Sequence, residues 1–397
     1  MQQPRCPRYH SLDFWRGVAC LMVVAFHSVL YVSGPALEDR LARGGGSAAE
    51  WVVSVASRGW AGVPLFFVIS GYCISATADS ARRKNSPVRL YFWRRFRRIF
   101  PPYWVFLLLA AAAVGLFEWR LWPGLFSDST AKVPPPWWLA PPNWLGQVTL
   151  TETWRYHLAG PPPMFFMFHA WTLCYEEQFY AVVGVLLLVA PRRFFAGILA
   201  VTAAVLAAAV AARKVAALAW IRGASEGFFF NGNWLYFAAG VGVYYAVNYA
   251  SPAWRRAYAV LLAVAFAAPF RHPAAALALD VSVEGSMAAA FGFALALLLL
   301  HPLDRRLSGS PFAAPVSWCG LMCYSLYLVH WPVCKGLSHA LYAAGVDTPR
   351  LTVLVTMPAC LAASIAAAWP FHVLVERRFL NPPSAAVSPS APVAAPA

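Results

Sequence analysis

LDFWRGVACLMVVAFHSVLY, residues 12–31, decides how the rest of the chain is read. It has the length and apolarity of a membrane-spanning helix, yet it carries Arg16 and His27, each costly to bury in lipid. On a helix, eleven residues turn through about 1100° and rise about 16.5 Å, so the two side chains share one face at different depths. If the helix enters from the cytoplasm, Arg16 lies at the inner interface, where an arginine can snorkel. His27 then lies near mid-membrane, where an ionisable group is by default a candidate functional residue, the alternative being a hydrogen-bonded structural histidine.

The whole chain has the same character. Its 397 residues are 60% hydrophobic, with a mean hydropathy of +0.57 and 12% charged residues, against about 25% in soluble domains. The fold class is therefore an all-α polytopic membrane protein whose first partner is the lipid bilayer. A formal net charge of +15 raises nucleic-acid binding, but the basic residues sit in short clusters between apolar spans and form no basic domain, which excludes that class. Cys20, Cys73, Cys319, Cys323, Cys334 and Cys360 fall inside apolar stretches without zinc-finger spacing; they read as small hydrophobes, and no metal site is expected. Arg5 and Arg8 before an apolar run imitate a signal peptide, but Arg16 interrupts the run and no small-x-small cleavage site follows. The span is read as retained, and His27 with it.

Apolar windows predict about ten helices, near 14–34, 59–78, 101–121, 164–190, 194–212, 228–249, 257–273, 285–303, 316–336 and 350–372. With both termini cytoplasmic, most of the 31 Lys and Arg residues fall in short inner loops, as the positive-inside rule requires. Residues 1–380 form one transmembrane domain, and 381–397 read as a disordered Pro/Ala/Ser-rich tail. The long outer loop 122–163, rich in Pro and Trp, suits either an interfacial lid or a plain connection, and 213–227 either an outer loop or a re-entrant piece. No internal repeat or symmetric pair of broken helices of the transporter kind is present.

Two further stretches carry polar residues. In YFWRRFRRIFPPYW (91–104), helical spacing gathers Arg94, Arg95 and Arg98 on neighbouring faces, and Pro101 and Pro102 suit the first turn of a following span, whose dipole would add to the arginine field. Such a cluster receives phosphate well, because the guanidinium fork matches its oxygens, although an inner-face anchor for lipid headgroups has the same composition. FHAWTLCYEEQFYAVVG (168–184) places His169, Glu176, Glu177 and Gln178 in a span. The two glutamates point about 100° apart, so at most one can face His27 squarely; without partners both are costly, and a structural ion pair with arginine is the competing reading. Ser70 and Gly71 allow close helix contact, and His330, beside Trp331 and Pro332, is either a packing residue or a substrate contact.

Taken together, these blocks resemble the membrane acyltransferase 3 family of bacterial O-acyltransferases that act on polysaccharide, lipopolysaccharide and macrolides. The resemblance runs from Leu12 to about Phe379. Arg16 and His27 match the arginine, ten residues, histidine signature; FFVISGY, RRFRRIFPPY, WTLCYEEQFY and YSLYLVHWPV follow in the family's order. The resemblance implies an acyl-CoA-dependent enzyme, with acetyl the expected group, in the bacterial inner (cytoplasmic) membrane. His27 would be general base or transient acyl carrier, with Glu176 and Glu177 orienting it. Arg16, Arg94, Arg95, Arg98, Tyr103, Ser70, Trp171 and His330 would contact donor or acceptor. No bound cofactor is implied: acyl-CoA is a substrate. The other expected partners are a glycan or other hydroxyl acceptor and polysaccharide-assembly proteins. Thr172, Cys174 and Tyr175 depart from the family's WSLSVEEQFY pattern and would reshape the pocket lining, and no fused SGNH-type hydrolase domain is recognised. The competing classes are a proton-coupled glycan or metabolite transporter, a glycan polymerase or ligase, and an acyltransferase for a secondary-metabolite hydroxyl.

Overall fold

The computed structural model describes residues 9–128, 133–218, 220–271 and 285–380. Among them every regular element is helical. The expected tail and the basic pair Arg5 and Arg8 lie outside the described residues. The principal helices are α1 (Leu12–Ser28), α2 (Ala48–Ser57), α3 (Gly62–Arg83), α4 (Val88–Leu116), α5 (Pro141–Thr149), α6 (Trp171–Val189), α7 (Phe194–Lys214), α8 (Asn233–Asn248), α9 (Pro252–Arg271), α10 (Ser286–Leu300), α11 (Ala314–Leu321), α12 (Cys323–Ala343) and α13 (Met357–Phe371).

Among the described residues six helical segments are long and apolar enough to cross a membrane: Ala48–Arg83, Val88–Leu121, Phe168–Val189, Pro191–Ala212, Ser286–Ser308 and Pro349–Phe379. A seventh is obtained if α11 and α12, bent by 74° at Met322, are one broken span. The other three expected spans coincide with α1, α8 and α9, which fall short of that standard: α1 and α8 are only 17 and 16 residues long, and Arg255 and Arg256 begin α9.

One expectation about α4 is overturned. Pro101 and Pro102 do not open a new span; they lie inside one 29-residue helix that starts at Val88. Each proline removes a backbone N–H, and the Tyr324 hydroxyl donates to the Ile99 carbonyl beside them at 2.8 Å. The arginines thus sit within the first turns of a continuous helix, with no helix N-terminus aimed at them.

Close crossings set the packing. α1 crosses α11 where a Cβ on Gly320 would stand 1.6 Å from the Asp13 carbonyl oxygen, and α3 crosses α8 where one on Gly71 would stand 2.0 Å from that of Phe237. Small residues allow this approach between apolar helices, where packing replaces the hydrophobic drive. Gly320→Val is therefore expected to cost at least about 3 kcal/mol, the upper end of overpacking penalties, and to collapse the monodisperse peak in detergent gel filtration. Gly34→Ala, with open space around it, is expected to behave as wild type; equal yields of the two variants would contradict the crossing.

Three buried carboxylates are compensated. Asp304 closes the start of α1, accepting from the backbone of His10 and Ser11 at 2.6 and 2.8 Å. Asp79, fully buried, takes Arg82 at 2.6 Å, Arg83 at 3.1 Å and the hydroxyls of Tyr244 and Tyr249. Glu376 accepts from the Ser325 amide at the first turn of α12 and from His372 Nδ1 at 2.8 Å, pinning the bend.

The 122–163 segment folds against α4. Glu152, fully buried, pairs with Arg155 at 2.9 Å and accepts from Asn143 and the Met164 amide, while Tyr103 and Trp104 of α4 donate to the Gln147 and Val148 carbonyls. Among its described residues none lines the cavity described below. In the 213–227 stretch, Trp220–Ser225 is helical, and the Gly227 carbonyl just beyond it accepts from Gln178 at 3.0 Å.

Candidate active site

A cavity of about 1,090 Å³ runs between α1, α3, α4, α6 and α12. Helix direction defines its two ends. α3 and α8 run side by side, Gly71 against Phe237 and Asp79 against Tyr244, so the Trp60 and Asn233 end is opposite the Arg82 end. Arg95 donates to Thr77 near the latter at 2.9 Å. α1 runs antiparallel to α3, with Arg16 reaching Cys73 and Met22 beside Gly59. The cavity therefore has an arginine end and, one helix length away, an end lined by Trp60, Glu226, Asn231 and Asn233.

α1 contributes Arg16, Cys20, Val23 and His27 to the wall, positions 16, 20, 23 and 27 of one helical face. The Arg16 guanidinium is held from both sides, by Asp13 at 2.7 Å and the Cys73 sulfur at 3.0 Å. Arg95 and Arg98 join it at that end. The Arg95 guanidinium also lies over the Tyr180 ring, 5.5 Å from its centroid. Arg94 projects to the exposed face of α4 and is outside the wall.

Midway stands Glu176, its carboxylate against the Ser70 and Tyr180 hydroxyls with Arg95 and Arg98 the nearby cations; those two hydroxyls are 3.0 Å apart. Glu177 points away from the wall, next to Arg95. The rotation between adjacent helical residues separates the pair as expected. Tyr103 is buried, with its hydroxyl engaged by Gln147, and is outside the wall; Ser70, Trp171 and His330 are on it.

His27 has aromatic neighbours. Among the described residues its ring lies 5.1 Å from that of His330 and 4.7 Å, edge to face, from Trp331. His169 is also beside His330, ring centres 5.4 Å apart. The three imidazoles share the cavity wall, and no group among the described residues is arranged to hold a metal ion. His330 Nδ1 donates to the Tyr327 carbonyl at 2.6 Å, with the Leu326 carbonyl at 3.1 Å. Among the described residues its Nε2 has no hydrogen-bond partner, and His27 Nδ1 and the His169 nitrogens make no well-formed hydrogen bond, with the Val23 carbonyl near His27 and the Leu328 carbonyl near His169. One turn beyond, the buried Lys335 ammonium lies over the Tyr31 ring at 5.0 Å, without a hydrogen-bond acceptor among the described residues.

Three residues on the wall had no site role in the sequence reading: His169 and Cys73, which it noted, and Tyr180, which it did not single out. His169 carried the one usable signal, an ionisable side chain within an apolar span. Tyr180 lies four residues from Glu176 and so on its face, but a tyrosine in a membrane helix has no such distinction.

A helical membrane domain enclosing a cavity with guanidiniums at one end and imidazoles further in is the setting in which the comparisons with known proteins fall. Residues 9–372 match the model of the Acyltransferase domain family, and the chain belongs to that family, the membrane acyltransferase 3 family. It is similar to a protein of Komagataeibacter xylinus named as a membrane-bound transacylase, BcsY, at 27% identity over 336 residues, 82% of this chain and 72% of that protein. It is also similar to the peptidoglycan O-acetyltransferase OatA of Listeria monocytogenes, at 28% identity over 183 residues, 45% of this chain and 24% of the relative. No solved structure matches the chain. The protein is a multi-pass membrane acyltransferase by family.

Proposed function

We propose that the protein is an O-acyltransferase that takes an acyl group, acetyl as the simplest, from a coenzyme A thioester and delivers it to a hydroxyl of an exopolysaccharide or other cell-surface glycan. The observation that supports this reading is the single cavity that has Arg16, Arg95 and Arg98 at one end and His27 further along the same helix as Arg16. Guanidiniums suit the donor's phosphates. The pantetheine arm, about 15–20 Å long, matches the rise of about 16.5 Å from Arg16 to His27, so the thioester would arrive at the imidazole. His27 then either takes the acceptor's proton or carries the acyl group itself. Glu176, held by Ser70 and Tyr180, keeps Arg95 and Arg98 turned into the cavity.

In this reading α1, α8 and α9 complete a set of ten spans, both termini are cytoplasmic, and the arginine end faces the cytoplasm of a bacterial inner membrane. The opposite end receives the acceptor, with polysaccharide-assembly proteins as its suppliers. The test is CoA release by purified protein in nanodiscs given acetyl-CoA and a mixed glycan extract. Release that depends on the extract is expected. Absence of release with short and long acyl chains, from protein shown to be folded, would overturn the reading in favour of transport.

A further inference from the structure

Three imidazoles share one end of the cavity, and their hydrogen bonding divides their work. We propose that His330 is the base that deprotonates the acceptor hydroxyl, and that His27 carries the acyl group; this rests on the acyltransfer reading above. The tautomer of His330 is set by its own helix. Carbonyl oxygens only accept, so Nδ1, facing those of Tyr327 and Leu326, must carry the proton. Nε2 is then a lone-pair acceptor, buried and without a partner among the described residues, on a side chain that lines the cavity. An imidazole so fixed is ready to receive a proton without first changing tautomer.

His27 is differently placed. Among the described residues no carboxylate borders its ring; its ring neighbours are His330, Trp331 and Phe26, and the charged group that bears on it is the Lys335 ammonium. The histidine of an acid-imidazole pair has a carboxylate that stabilises its cation, and His27 has none, whereas a neutral imidazole is suited to attack a carbonyl. With ring centres 5.1 Å apart, an acyl group on His27 would lie beside His330. A hydroxyl approaching that group would meet Nε2 of His330, with His169 as a further imidazole 5.4 Å from it, ring centre to ring centre.

The steps balance. A ring nitrogen of His27 attacks the thioester carbonyl; the C–N bond forms, the C–S bond breaks, and the departing thiolate takes the remaining ring proton, giving CoA thiol and neutral acyl-imidazole. The acceptor oxygen then attacks the acyl carbon as its proton passes to His330 Nε2. The C–O bond forms, the C–N bond breaks, and the His27 ring takes back one proton from the His330 imidazolium. The sum is thioester plus alcohol giving ester plus thiol.

The experiment is a single-turnover assay in nanodiscs with acetyl-CoA labelled in the acetyl group, comparing wild type, His330→Gln, His330→Asn and His27→Ala, with and without glycan extract. Both His330 variants are expected to release about one CoA per protein in a burst, to hold the label on the protein, and to turn over at least about 100-fold more slowly than wild type with acceptor, the lower end of what a positioned base contributes. His27→Ala is expected to show neither burst nor label. Wild-type turnover by the His330 variants would overturn the proposal, and so would loss of the burst in both. No release by wild type itself would be the failure of the acyltransfer reading and is read separately.

Discussion

Alanine at position 27 is expected to lower kcat for acyl transfer by about 10³-fold or more, the range that removal of a positioned acid-base group or nucleophile produces. The melting temperature should stay within a few degrees of wild type, because among the described residues His27 Nδ1 makes no well-formed hydrogen bond that the substitution would break. What is lost structurally is an edge contact with Trp331 and a ring contact with His330, each worth about 1 kcal/mol. This separates two roles that a buried histidine can have. A packing residue would lose stability and keep its rate, whereas a reacting residue loses rate and keeps its fold. Acetyl transfer and thermal unfolding measured on the same nanodisc preparation decide between them, and a kcat within tenfold of wild type would remove His27 from the chemistry.

The second large effect concerns the arginine end. Arg95→Gln and Arg98→Gln are each expected to raise KM for acetyl-CoA by about 10- to 100-fold with kcat little changed, because a hydrogen bond to a charged group contributes about 1.5–3 kcal/mol. Added salt should raise KM for the wild type in the same direction, since phosphate contacts near a cavity mouth are screened. The control is a short acyl thioester of N-acetylcysteamine, which keeps the thioester and lacks the nucleotide phosphates. Its KM should be indifferent to both substitutions. Equal losses with the two donors would mean that these arginines hold the cavity's shape, which the Arg95 contacts with Thr77 and Tyr180 make a real alternative.

Local periodicity carried much of the fold. An apolar run of membrane length is written residue by residue, so the all-helical architecture and the approximate place of the spans could be read directly. The face of α1 could be read in the same way: Arg16 and His27 are eleven residues apart, and the structure places both on the cavity wall with Cys20 and Val23 between them. One reading failed, and for a physical reason. The prolines at 101 and 102 looked like a helix start because a local rule favours them there. The helix continues through them, a choice that contacts with other elements such as Tyr324 enter. Among the described residues six or seven helical segments meet the length and apolarity standard directly, and α1 and α8, only 17 and 16 residues long, fall short of it.

What the sequence by itself determined is the membrane-embedded helical class, the motif blocks of an acyltransferase family, and the candidate ionisable groups, since an arginine or histidine in an apolar run stands out without any partner. Which of those groups meet was decided only by the tertiary structure. Glu176 reaches the cavity and Glu177 does not; Arg95 and Arg98 turn inward while Arg94 faces out; His27 meets His330 and Trp331, more than 300 residues away in the chain, and no carboxylate. The physical reason is that helical periodicity determines the relative direction of side chains on one helix and says nothing of which other helix lies opposite. That depends on crossings such as Gly320 with Asp13 and Gly71 with Phe237, where backbone meets backbone.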